Sequence, residues 1–515
     1  MRNRRTLARL ERLRYERLYQ QAMPSLGLDD PRLRRYALRY DRALELQASR
    51  SRRSQDEECV QAVLSSEVAL CGDYHTLPEA QKAALRLWRR VVARARAAGR
   101  PVVLALEMLR PEDDGRSAEF VHGTMDEATF KERVGYGRHW GFPWEPYRDL
   151  LRFARAEGLP VVGINRVGGG LEARDRTMAD RILAAAQAHP GALVLALVGD
   201  WHLAPTHLPK QLVQRARLRK RTTPVVAVVH QNAEPVFWKH AERTRGTPPH
   251  CVRLAPREFC LLTVPPSAKL RSHLRWISAA GESDVLWRAA QQNREAAGDT
   301  GSDDHASPDE EDVWEFQQLV LAFLGARLRA DGSLSVLSVN EEDRWQPAAE
   351  RAGLTPARCR RWVSVLAGMA FDRDKTLVVG SWLNGDVALW AAWALAARLS
   401  DHSLHPGTGD HAALVWRWAL AFLGARLALP FHDARRTPPE GEMTDKDLAR
   451  CLETRQEGES LGNALYRGLM EERLERLAVA QLFVIPLIGA RAKAELLRWR
   501  RLARSGARRR RGVAA

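Results

Sequence analysis

The 515-residue sequence has no uninterrupted apolar run of the ~18 residues that a membrane-spanning helix requires. Its nearest candidate, Leu377 to Ala397, is broken by Asn384 and Asp386 and reads as a buried helix. Paired cysteines are also missing. Cys59, Cys71, Cys251, Cys260, Cys359 and Cys451 are scattered without a CxxC, which excludes a disulfide framework and a thiolate zinc site and suits a reducing compartment. The opening segment MRNRRTLARLERLRYERLY is charged throughout, lacks the apolar stretch of a signal peptide, and has no nearby cysteine for a lipid, so the expected localisation is cytoplasmic. Gly168-Gly169-Gly170 comes without GxGxxG or the Gly-Lys-Ser/Thr of a P-loop, and nucleotide binding is not expected.

What is present is globular in proportion, with 45% hydrophobic and 28% charged residues. Lysine and arginine number 80 against 63 acids, a net charge of +17 that would ordinarily suggest nucleic acid or an anionic surface. The excess is confined to the ends. Residues 1–50 hold 13 arginines against 6 acids, and residues 491–511 hold 10 basic residues against one Glu. Arg508 to Arg511 carry no aromatic-interleaved surface with them and read as a solvating tail, so nucleic acid is not an expected partner.

The organisation follows from periodicity. Residues 1–55 form a basic helical extension, with Leu7, Leu10, Leu13 and Leu18 among arginines and Pro24 and Pro31 as breaks. Residues 56–290 alternate short apolar strands (Val68–Cys71, Val102–Leu106, Pro160–Ile164, Leu193–Val198, Pro224–Val229) with helices such as Pro78–Ala97, Trp144–Glu157 and Arg174–Ala188. Such strands specify an α/β fold, a parallel sheet covered by helices on both faces. Residues 291–312 are an acidic, Gly/Ser-rich linker. Residues 313–515 form a mainly α-helical domain, and LAFLGARL occurs in it twice, at 321–328 and 420–427, an internal repeat that predicts two related helical halves. Trp382, Trp390, Trp393, Trp416 and Trp418 have core spacing, and the tract SDHSLHPGTGDH, with His402, His405 and His411, reads as a loop between the halves.

In an open parallel sheet, ligands bind at the carboxyl ends of the strands. Strand one runs into Gly72-Asp73-Tyr74-His75 and strand four into Gly199-Asp200-Trp201-His202, two GxxH motifs of one pattern, while strand two ends at Glu107 and strand three at Asn165. Glycine lets the chain turn off the strand so that the histidine folds back over the rim. Together His75, Glu107 and His202 make a candidate N/O metal site for iron, manganese or zinc, and Glu107 is alternatively a general base. Arg174, opening a helix, is placed to take an anionic group. Tyr74, Tyr147 and Trp201 are a candidate aromatic wall for a flat cofactor, with a tyrosine able to ligate ferric haem and Asn165 in the same cofactor-facing set. His139, His207 and His230 lie near strand ends or loops without motifs of their own.

These residues resemble those of the ChaN-like haem-binding uptake proteins of the Tiki superfamily, relatives of TraB-like proteins, erythromycin esterases and Tiki metalloproteases. The resemblance runs from about Val63 to His230. It rests on GDYHTLPEAQ, Glu107-Met108, WEPYRDLLRFARAEGLPVVGIN, Arg174-Asp175 with Met178-Ala179, and GDWHLAPTHLP. It implies that the site is His75, Glu107, Arg174 and His202, and that the cofactor is haem iron or a divalent transition metal. The expected function is iron, haem or other transition-metal binding. The alternatives are a metal-dependent hydrolase of the esterase or peptidase type, acting on a small-molecule or peptide substrate with Glu107 and Arg174 as catalytic groups, and a non-catalytic interaction protein. The helical domain is expected to be an accessory or protein-partner module.

Overall fold

Runs of valine, leucine and alanine that are apolar on both faces cannot face water, and pairing into a covered sheet buries both sides. The computed structural model describes residues 2–166, 168–244, 248–279, 310–326, 334–371, 375–380, 383–400, 403–407, 409–430, 445–485 and 489–511. Eight strands, β1 (Arg52–Ser54), β2 (Val68–Asp73), β3 (Val102–Leu106), β4 (Val161–Gly163), β5 (Leu193–Gly199), β6 (Val226–Gln231), β7 (Cys251–Ala255) and β8 (Glu258–Leu261), form one sheet in the order β1-β7-β8-β6-β2-β5-β3-β4. The pairs β2/β5, β2/β6, β3/β5, β3/β4 and β6/β8 are parallel, and the edge pairs β7/β8 and β1/β7 are antiparallel. All five strands anticipated from the sequence are present, the first and the fifth each ending two residues later than expected. The β7–β8 hairpin and the edge strand β1 were not anticipated, being too short for a periodic signal.

Two compact units divide the described residues: 14–244 with 248–279 fall in one, and 2–13 with those from 310 onward in the other. Helix α1 (Arg2–Ala22) has residues in both units; α2 (Pro31–Arg50), in the sheet unit, is opened by an Asp30 side chain that accepts from Arg32 N and by Pro31 at its first position. Its buried face is Tyr36, Ala37, Tyr40, Leu44 and Ala48, a stripe with four-residue spacing. Farther along come α3 (Pro78–Ala97), α4 (Trp144–Glu157), α5 (Gly170–Ala188) and α6 (Pro266–Ala279). Alternate residues of the central strands (Ala69, Cys71, Leu104, Leu106, Leu195, Leu197) pack in one core with Trp88 of α3 and Tyr147 and Leu151 of α4.

The second unit is built on α7 (Glu310–Leu324), α8 (Asn384–Ser400), α9 (His411–Ala428) and α10 (Lys446–Met470). It also contains a small sheet ordered β10-β11-β9, formed by β9 (Ser335–Ser338), β10 (Gly368–Phe371) and β11 (Thr376–Val379). Trp345, Trp362, Trp390, Trp393 and Trp418 fill its core. On α10, Gly458 and Gly462 let the backbone close onto α9, since an added Cβ would run into Trp418 or the Ala419 carbonyl oxygen. The two LAFLGARL copies have different settings. In the first, Gly325 at φ +74° ends α7; in the second, Gly424 lies inside α9, where an added Cβ would meet Ala392 Cβ at 2.5 Å. Residues 291–309, Trp382 and His402 lie outside the described residues. Among the described residues no helix is long and apolar enough to cross a membrane.

Candidate functional site

The rim is set by strand register. Asp73 of β2 pairs with Gly199 of β5, Leu106 of β3 pairs with Leu197, and Glu107 N donates to the Leu197 carbonyl at 3.1 Å. His75, Glu107 and His202 therefore leave three adjacent strands at one end of the sheet. The two GxxH copies are one residue out of phase in this ladder, because Gly72 pairs with Val198 rather than Gly199. Since side chains alternate between faces, a one-residue offset sends the two motif aspartates, Asp73 and Asp200, to opposite sides, while the 3-10 turn Asp200–Leu203 brings His202 back to the Glu107 side. Asp73 and His75 accordingly stand on the Glu107 side. Tyr74 and Asp200 turn the other way, to Lys269 of α6: its Nζ is 3.4 Å from Asp200 Oδ2 and from Glu234 Oε1, and 4.7 Å from the Tyr74 ring centroid.

Both imidazoles are held through Nδ1. His75 Nδ1 donates to Asp73 Oδ2 at 2.9 Å, and the Tyr147 hydroxyl donates to the same oxygen at 2.6 Å. His202 Nδ1 donates to Asp175 Oδ1 at 2.7 Å, and the Tyr36 hydroxyl donates to Asp175 Oδ2 at 2.8 Å while standing 2.9 Å from His202 Nδ1. The Nε2 atoms are thereby turned toward Glu107. His202 Nε2 lies 3.5 Å from Glu107 Oε1, and Glu107 Oε2 accepts from Gly199 N at 2.6 Å. Gly199 keeps the centre open: an added Cβ would stand 3.2 Å from His75 Nε2 and 3.5 Å from Glu107 Oε2.

The electrostatics follow from burial opposed by paired charge. Burial disfavours the charged form of His202, but Glu107 and Asp175 outweigh it and raise its pKa to about 9. His75 is raised as well, burial again being overcome by Asp73 and Glu107. Glu107, which burial alone would push up, is held at about 2 by the two imidazoles and the Gly199 amide. Arg174 of α5 is only 9% exposed, and its Nε has no hydrogen-bond partner among the described residues. Burial lowers its pKa, with Glu107 and Tyr36 acting in the opposite sense.

The residues expected from the sequence thus divide. His75, Glu107, His202 and Arg174 converge. Tyr147 is 1% exposed with its hydroxyl committed to Asp73, and Tyr74 faces Lys269, so the two do not form one wall with Trp201, which is half-buried. Asn165 is buried, its Oδ1 accepting from Arg166 N. The rings against His75 are instead Trp140 at 4.6 Å and Phe142 at 4.8 Å, with Trp276 stacked on Phe142 at 5.0 Å. The other histidines are engaged elsewhere: His139 with Arg110, His207 with the Trp201 carbonyl, and His230 between Tyr40 and Glu258. Tyr36, Asp175 as the partner of His202, Trp140 and Phe142 were missed. Tyr36 had one available signal, its four-residue spacing to Tyr40 on an amphipathic helix. Among the described residues no group of three or more His, Cys, Asp or Glu stands ready to hold a metal ion.

Comparison with known proteins adds a family. No curated protein matches the chain. A solved structure described as cofacial heme binding to ChaN of Campylobacter jejuni is similar at 14% identity and a TM-score of 0.28, covering 34% of this chain and 85% of that one. Residues 59–167, which include His75, Glu107 and Tyr147, match the family described as "Haem-binding uptake, Tiki superfamily, ChaN". The likeness to that family thus covers 109 of the chain's 515 residues.

Proposed function

We propose that this chain binds iron, as haem or as the bare ion, at the rim where His75, Glu107 and His202 meet, with manganese and zinc as competing occupants of the same donors. The observation that carries this reading is the common orientation of the imidazoles. Each Nδ1 is engaged by an aspartate, which leaves both Nε2 atoms on the Glu107 side. Ligating histidines are ordinarily fixed in this way. Two ligands ~2.1 Å from one ion at a tetrahedral angle stand roughly 3.4 Å apart, and His202 Nε2 is 3.5 Å from Glu107 Oε1. That one pair has the spacing of two ligands on a common ion, and His75, whose Nε2 faces the same carboxylate, would have to close in as the third holder. When bound, the metal supplies a Lewis acid or, as haem, a redox-active iron. Trp140 and Phe142, beside a His75 side chain that is 22% exposed, offer an apolar flank for a macrocycle. The six cysteines are all free and buried, which supports a reducing, cytoplasmic setting.

A hydrolytic reading of the same rim rests on Arg174, a buried guanidinium whose Nε lacks a hydrogen-bond partner among the described residues. It would place the anionic group of an ester or peptide substrate beside Glu107. Metal analysis and haemin titration of the purified full chain separate the readings. Stoichiometric iron or haem with a Soret shift is expected, abolished in His202→Ala and strongly reduced in His75→Ala. Glu107→Gln should lower occupancy if Glu107 is a ligand; retained metal with lost hydrolysis makes it the base. Protein that takes up neither metal nor haemin, or takes them up equally well in both histidine variants, overturns the proposal.

A further inference from the structure

Helix α2 lies outside residues 59–167, the segment matched by the family, yet it reaches the rim. Tyr36 is 4% exposed, and its hydroxyl closes a ring of polar contacts: it donates to Asp175 Oδ2 at 2.8 Å and stands 2.9 Å from His202 Nδ1, whose proton goes to Asp175 Oδ1 at 2.7 Å. The ring of Tyr36 also stacks on His207, with centroids 3.6 Å apart and planes 10° from parallel. The tyrosine is thus fixed on both its edge and its face. A carboxylate holding an imidazole through one oxygen alone can still rotate. With a second donor on the other oxygen, both the carboxylate plane and the ring plane are set.

We propose that Tyr36 is a positioning residue for His202, acting through Asp175, so that the segment N-terminal to the family match is part of the site rather than an appendage to it. A related set on the other imidazole supports this assignment, although there the second oxygen of the aspartate, Asp73 Oδ1, is engaged by Gln81 Nε2 and the tyrosine shares Oδ2 with the imidazole. Tyr147 donates to Asp73 Oδ2 at 2.6 Å, Asp73 accepts from His75 Nδ1, and the Tyr147 hydroxyl is 3.4 Å from that nitrogen. Two Tyr-Asp-His sets therefore aim at one carboxylate, one lying wholly inside the matched segment and one wholly outside it, with Tyr36 from its N-terminal side and Asp175 and His202 from its C-terminal side. The functional consequence rests on the reading of His202 as a metal ligand; the positional claim does not.

The test uses the full chain with Tyr36→Phe, and Tyr40→Phe as the control. Tyr40 lies one turn along the same helix and contacts His230 at 3.3 Å. Two readouts are compared at fixed pH: solvent exchange of the His202 Nδ1 proton by NMR, its resonance assigned by loss in His202→Ala, and cobalt(II) titration followed by visible absorption. Tyr36→Phe should speed the exchange at least tenfold, weaken cobalt(II) binding by about 10- to 100-fold and change the shape of the cobalt band. Tyr40→Phe should leave all three near wild type. The effect of Tyr36→Phe should largely vanish in an Asp175→Asn background, because both act on one ring. Unchanged exchange in Tyr36→Phe, or equal changes in both tyrosine variants, overturns the inference. If wild-type protein binds neither cobalt(II) nor haemin, the functional reading falls, while the exchange measurement still decides the role of Tyr36.

Discussion

His75 and His202 are held by the same chemistry in unlike surroundings. Each gives Nδ1 to an aspartate that also accepts from a tyrosine, but the His75 side chain is 22% exposed beside Trp140 and Phe142, whereas that of His202 is 5% exposed beneath Tyr36. The difference teaches that orientation and access are built separately. One imidazole is enclosed, and the other opens toward solvent.

The largest expected break in this pairing is Asp175→Asn. It takes one of the two carboxylates facing a His202 whose pKa is raised to about 9, and because Glu107 Oε1 stays 3.5 Å from Nε2 the cost falls below the about 3–5 kcal/mol of a wholly unpaired buried ion. Urea unfolding should show that loss, while Asp73→Asn should cost less because His75 retains contact with water. Gly199→Ala comes next. Its Cβ would stand 3.2 Å from His75 Nε2, so cobalt(II) affinity should fall about tenfold. Gly72→Ala, whose Cβ would meet Asp200 Oδ1 at 2.5 Å on the opposite face, should lower stability and spare the affinity. Trp140→Ala and Phe142→Ala sharpen the contrast in access. Haemin affinity should drop severalfold in titrations, with cobalt(II) affinity kept.

The smallest effect concerns the Lys269 face. Burial, with Glu234 adding repulsion, raises Asp41 of α2 to about 6. A carboxyl whose folded pKa is raised binds its proton more tightly in the native state, so stability is fullest at low pH and declines as pH climbs from about 4 to about 6. The decline should show as a falling urea midpoint over that range, and Asp41→Asn should flatten it.

Much of the α/β unit could be read from the sequence because its signals are local. Apolar runs such as Leu193–Val198 announce buried strands, and a glycine followed by a histidine at a strand end announces a rim. What escaped depends on register or distance. The identical pattern of the two GxxH motifs hid their one-residue offset, so Asp200 looked equivalent to Asp73 although it turns to Lys269. Tyr36 lies 139 residues from Asp175 and 166 from His202, separations that no motif spans. Trp140 and Phe142 sit between short helical segments without periodicity. In the second unit, LAFLGARL showed that one octapeptide can end a helix at Gly325 and continue one at Gly424, because the neighbouring backbone decides which.

The wide separation of Tyr36 from its contacts bears on biosynthesis. The tyrosine leaves the ribosome well before Asp175 and His202, and its hydroxyl must wait in water until both emerge. A fragment trimmed to the family match would keep His75 and Glu107 but lack the whole opposing set, and its failure to take up a ligand would say nothing about the intact chain.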